Sequence, residues 1–99
     1  MSLSETQKRH LKKLAHSMKP VVMVGQHGVS EGVLEETGLA LLAHELIKMR
    51  VSAGDRDERD KMIAEIVDHT QAELVQRIGN VAVLFRANPD KKHPMELPG

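Results

Sequence analysis

The segment Lys19-Pro-Val-Val-Met-Val-Gly-Gln-His-Gly28 constrains the fold more than any other stretch of this chain. Pro20 cannot continue a helix and biases Lys19 toward an extended backbone. Val21 to Val24 is then a continuous apolar run, which reads as a strand covered on both faces or lying at a sheet centre. Gly25 and Gly28 break that strand, and Ser30 stands where a helix N-cap belongs. Strand, glycine turn and helix N-terminus in that order build a phosphate cradle from backbone groups alone. The same order also describes an ordinary strand-to-helix turn, where glycine relieves strain at positive φ. Spacing alone leaves both readings open.

The residues before this segment favour an anionic ligand. Ser4-Glu-Thr-Gln7 has capping-box form and starts a helix that Pro20 stops. Leu11, Leu14, Ala15 and Met18 repeat at helical spacing and share one side. Lys8, Arg9, Lys12, Lys13 and His16 fall on the opposite side. An ordinary solvated helix face mixes signs, whereas Glu5 is the only acid here. The zero net charge of the whole chain therefore conceals a separation. Residues 1–28 carry net +4, residues 29–76 net −6 and residues 77–99 net +2. Such a balance argues against indiscriminate coating of nucleic acid and for one basic face.

The remaining elements follow from periodicity. A second helix is predicted from about Glu31 to Ala43, with Val33, Leu34, Thr37, Leu41 and Leu42 inward. Gly32 and Gly38 weaken it by ~1 kcal/mol each relative to Ala. Leu46 to Val51 reads as a strand in which Ile47, Met49 and Val51 alternate with Lys48 and Arg50. After the turn Ala53-Gly54-Asp55, a third helix from about Asp57 to Thr70 buries Met62, Ile63, Ile66 and Val67. Glu73 to Ile78 and Val81 to Arg86 are strands joined by Gly79-Asn80, a tight hairpin signal. Residues 88–99 form a tail with three prolines. The order α-β-α-β-α-β-β predicts one α/β domain over residues 1–99, of the two-layer α+β kind. Its early units favour parallel strands and its last hairpin is antiparallel, so the four-stranded sheet is mixed.

Composition removes several function classes. A chain of 99 residues has room for one core, burying perhaps ~65% of the surface its unfolded form exposes. There is no Cys, so disulfides and thiolate metal sites are excluded. No apolar run approaches the roughly 18 residues of a membrane span, and the N-terminus lacks a signal-peptide core. The expectation is a soluble cytoplasmic protein. His10 and His16 miss the spacing of a helical ligand pair, and Asp55 to Asp60 lacks the glycine and glutamate of a cation loop. No P-loop, nucleophile elbow or reactive Cys is present, so no enzyme, cofactor or metal is expected. Phe85 is the only aromatic residue, which leaves no platform of Phe, Tyr or Trp for stacking bases.

The blocks Leu11-Lys-Lys-Leu-Ala-His16, Lys19 to Val29, Glu31-Gly-Val-Leu34 and His44-Glu-Leu-Ile-Lys48 carry a family resemblance. It continues through Asp55-Arg56, Ile78-Gly79, Val83-Leu-Phe-Arg86 and Glu96-Leu-Pro98. In this order and spacing the chain resembles the CRM domain (chloroplast RNA splicing and ribosome maturation) in its stand-alone bacterial YhbY form. The resemblance implies an RNA-binding domain with a fold similar to the C-terminal domain of translation initiation factor three. It also implies association with precursors of the large ribosomal subunit. The family's GxxG loop maps onto Gly25, Gln26, His27 and Gly28, parallel to the KH clamp although that loop joins two helices. Lys8, Arg9, Lys12, Lys13 and Lys19 complete the expected RNA surface. Lys48, Arg50 and Arg86 lie on strands and divide between sheet-face RNA contacts and plain surface charge. The chain departs from the family at His27, where a smaller or more polar residue is common. At Phe85 the family usually has Tyr, so a hydroxyl contact is lost there. A competing class is a protein-interaction module that docks a basic partner on its acidic second and third helices.

Overall fold

In the computed structural model, which describes residues 3–98, three helices alternate with four strands in the predicted order. These are α1 (Glu5–Ala15), β1 (Val22–Val24), α2 (Glu31–His44), β2 (Leu46–Val51), α3 (Arg56–Thr70), β3 (Glu73–Ile78) and β4 (Val81–Phe85). Side-chain caps place all three helix starts. Ser4 Oγ accepts from Gln7 N at 3.1 Å while Gln7 Oε1 accepts from Ser4 N at 2.9 Å, a reciprocal capping box. Ser30 Oγ and Asp55 Oδ1 accept from Val33 N and Glu58 N at 3.2 and 2.9 Å. Gly54, just before the α3 cap, has φ 76°, and a Cβ there would stand 2.8 Å from Glu58 Cβ. Only glycine fits that position. The first helix ends at Ala15 rather than running on toward Pro20.

The strands lie in the order β1-β2-β4-β3. β1 pairs parallel with β2, and β4 runs antiparallel to both β2 and β3. The crossover through α3 thus carries the chain past the place that β4 later fills. The sheet separates two cores. One joins Val22, Val24, Ile47, Met49, Val51, Ala82 and Leu84 to Leu41 of α2 and to Ile63 and Ile66 of α3. The other joins Leu46, Val75, Val83 and Phe85 to Leu11 and Ala15 of α1. α1 therefore adds a partial third layer to the α+β arrangement.

Three local expectations change. β1 is an edge strand covered on one face only: Val22 and Val24 are buried, whereas Met23 is 62% exposed. A run of apolar residues cannot distinguish a central strand from an edge whose outer side chains are also apolar. Leu42 stands half exposed beside Leu39 on the outer side of α2, one helical step from buried Leu41. The proline-rich tail is folded as a strap. Glu45, buried at the end of α2 with φ 63°, accepts from Asn88 N at 2.9 Å and Met95 N at 2.7 Å. Met95 and Leu97 then pack on the α1-side core, and Gln7 Nε2 donates to Pro98 O at 3.1 Å.

Candidate nucleic-acid interface

Strand alternation settles which way the β2 cations face. Ile47, Met49 and Val51 belong to the α2–α3 core and Leu46 to the α1-side core. Lys48 and Arg50 therefore share the α1 side with Leu46. In register, Lys48 lies opposite Val83 and Arg50 lies between Met23 and Val81. On β3 a bulge between Leu74 and Gln76 breaks the alternation. Val75 and Gln76 consequently both serve the α1 side, and Ile78 lies opposite Val81 at the hairpin end.

α1 covers only half of this face. Its apolar side sits over Leu46, Val75, Val83 and Phe85, leaving Met23, Arg50 and Ile78 exposed beyond it. Between the helix and the uncovered half runs a groove of about 380 Å³. Lys12, Lys13 and His16 form its helical wall, and Lys48, Gln76 and Ile78 line the sheet side, with Val81 beside them. Lys8 and Arg9 continue the cationic stripe on the earlier turns of α1. The opposite layer carries exposed Glu31, Glu35 and Glu36 on α2 and Asp57, Glu58, Asp60, Glu65 and Asp68 on α3. The separation of sign along the sequence thus becomes a separation across the sheet.

The glycine turn leaves the sheet at the end of β1, beyond the Met23–Arg50 pair. Gly28 N donates to Gly25 O at 3.0 Å, which closes the turn and exposes Gln26 and His27. Gly28 has φ 71°, a conformation that favours glycine for purely local reasons. Gly25 is different: a Cβ built there meets nothing within 4 Å. Local sterics do not require glycine at Gly25, so an open approach to its backbone is available to a ligand. The first-turn amides of α2 lack intrahelical acceptors, but Glu31 sets a negative charge beside them. Close approach of the backbone, more than positive potential, is what this turn offers.

The predicted residues do not all converge. Lys19 lies across α1 from the groove, on an apolar hollow of about 550 Å³ with Leu14, Met18, Val21 and Met95. Arg86 is engaged inside the protein, donating to Thr70 O at 2.6 Å and Gly38 O at 3.2 Å. It ties α2 to α3 at the end of the sheet remote from the turn, and it is not a free sheet-face cation. Sequence reasoning missed Gln76 and Ile78 and left His16 out of the site. The Gly79-Asn80 hairpin signal marks Ile78 and Val81 as a pair, and period-two spacing from it sets Gln76 opposite Val83, whereas no sequence signal reports the bulge that brings Val75 to the same side. Among the described residues no group of three or more His, Cys, Asp or Glu is placed to hold a metal ion. No helix among them is long and apolar enough to cross a membrane.

This is a small α+β protein with one basic, half-covered sheet face and one face covered by two acidic helices. The chain matches the CRS1 / YhbY (CRM) domain over residues 3–86, and it belongs to that family. It is 46% identical over 97 residues to an RNA-binding protein of Haemophilus influenzae, covering 98% of this chain and 96% of that one. It is 40% identical over 89 residues to a protein of Pseudomonas aeruginosa named a probable RNA-binding protein, covering 90% and 86%. The solution structure of a Staphylococcus aureus protein superposes with TM-score 0.80 at 33% identity, covering 98% of this chain and 100% of that one.

Proposed function

We propose that this protein binds RNA as a single domain, through the α1 stripe, the groove beside it and the Gly25–Gly28 turn. The observation that carries the reading is the convergence of Lys12, Lys13 and Lys48 on one groove, with Arg50 on the same face. The RNA-binding names of its relatives support the same class of ligand. Lysines at the groove rim neutralise phosphates, and the open backbone at Gly25 admits the sugar-phosphate chain closely. No catalytic step is assigned to these residues. The family resemblance points further, to precursors of the large ribosomal subunit. A competition at fixed salt tests that target, using a folded fragment of large-subunit ribosomal RNA and an unstructured RNA of equal length and charge. The folded fragment should win. Equal competition would mean that charge alone is read, and the ribosomal target would fall.

A second reading has one observation in its favour. Leu39 and Leu42 are 60% and 50% exposed on the outer face of α2, near Glu35 and Glu36. That surface suits a basic, partly apolar protein segment. It predicts that Leu39→Ser with Leu42→Ser abolishes binding of a basic protein segment and leaves RNA affinity unchanged, whereas Lys12→Ala with Lys13→Ala lowers RNA affinity alone.

A further inference from the structure

We infer that the groove between α1 and the open half of the sheet holds one unpaired nucleobase, with Ile78 as its apolar wall and Gln76 reading its edge. This rests on the RNA-binding reading above and adds to it a subsite that distinguishes nucleotides. Phosphate binding alone accounts for Lys12, Lys13 and Lys48. It does not account for Ile78, a large apolar side chain left 63% exposed beside them and outside both cores. Ile78, Val81 and Val83 give the hollow an apolar wall beside three ammonium groups, a mixed lining that suits an amphipathic ligand.

A nucleotide has the matching parts: an anionic phosphate, two apolar ring faces and a polar edge. Ile78 and Val81, paired across the hairpin, offer an aliphatic surface to a ring face. Among the described residues His16, on the helical wall, is the one ring that lines the groove, and imidazole is among the groups on which unstacked bases rest. Gln76 carries both a carbonyl acceptor and amide donors, the pairing needed to meet a base edge in two directions. The volume of about 380 Å³ lies in the range of small-ligand sites and has no room for a duplex. A paired base keeps its faces in the stack and its edge in the pair, so only a bulged, looped or single-stranded nucleotide can enter. The site thus compensates on one nucleotide for the aromatic platform the chain lacks.

The test uses the full chain and two RNA hairpins, one fully paired and one with a single-nucleotide bulge, the latter made with each of the four bases. The wild type should prefer the bulged hairpin. Ile78→Ala should lower affinity for the bulged RNA about fivefold or more, the low end of what base contacts are worth. Its affinity for the paired RNA and its salt slope should stay unchanged. Gln76→Ala should flatten the ranking of the four bulged bases. Exposed Ile78 makes few contacts, so its variant is expected to fold, and an unchanged melting temperature confirms it. Variants that bind bulged and paired RNA as the wild type does would overturn the subsite and leave the RNA-binding reading standing. A wild type with no salt-dependent affinity for either hairpin would overturn that reading itself.

Discussion

The two faces of the sheet are built from the same strands to opposite ends. On the α2–α3 face, Leu41, Ile47, Met49, Ile66 and Leu84 are fully buried, and the strand cations on that side, Arg77 and Arg86, are engaged by Asp60 and by the carbonyls of Thr70 and Gly38. On the α1 face a single helix and the strap cover half of the sheet. Lys48 and Arg50 stand on the strand that also supplies Ile47 and Met49 to the closed face. The difference suits one side to stability, and the proposed RNA contact uses the other. A strand with a period of two residues can serve both at once, because neighbouring side chains never compete for the same surface.

Substitutions on the closed side should have the largest effect. Leu41→Ala should cost about 2–5 kcal/mol, since a fully buried side chain leaves a cavity that the surrounding core cannot refill. Chemical denaturation measures it, and a loss below about 1 kcal/mol would mean this face is not the stabilising one. Glu45→Ala comes next, at about 2–4 kcal/mol, because Asn88 N and Met95 N both lose their acceptor. Faster proteolysis within residues 88–98 should accompany it. Gly25→Val is expected to keep the fold within about 1 kcal/mol, as its side chain enters open space. RNA affinity should nonetheless fall roughly tenfold or more through lost backbone contacts. A folded variant with wild-type affinity would reduce the turn to a connector.

Much of the closed face was legible in the sequence. The cap at Ser30, the β3–β4 hairpin and the inward set of α3 all follow from local spacing, and local spacing survives into the fold. The open face was legible only in part. Lys48 and Arg50 were visible as the polar half of an alternating strand, but their side depends on where α1 packs, which is a tertiary fact. Arg86 looked like any strand cation until α2 and α3 brought the carbonyls of Gly38 and Thr70 within its reach. Glu45 gave no sign that it is the clamp of the strap, because a carboxylate between His44 and Leu46 reads as surface. Val75 owes its side to a bulge that period-two reasoning cannot see.

If RNA is held through phosphates along the α1 groove, as proposed, its affinity must depend on salt. For a folded RNA, log K of the wild type should fall against log salt with a slope of about −2 to −4.5, the value for ~3–5 phosphate contacts. Replacing Lys12, Lys13 and Lys48 together by Ala should make the slope shallower by roughly 2, in proportion to the lost contacts. A triple variant with the wild-type slope, or a wild type whose affinity does not change with salt, would contradict the account.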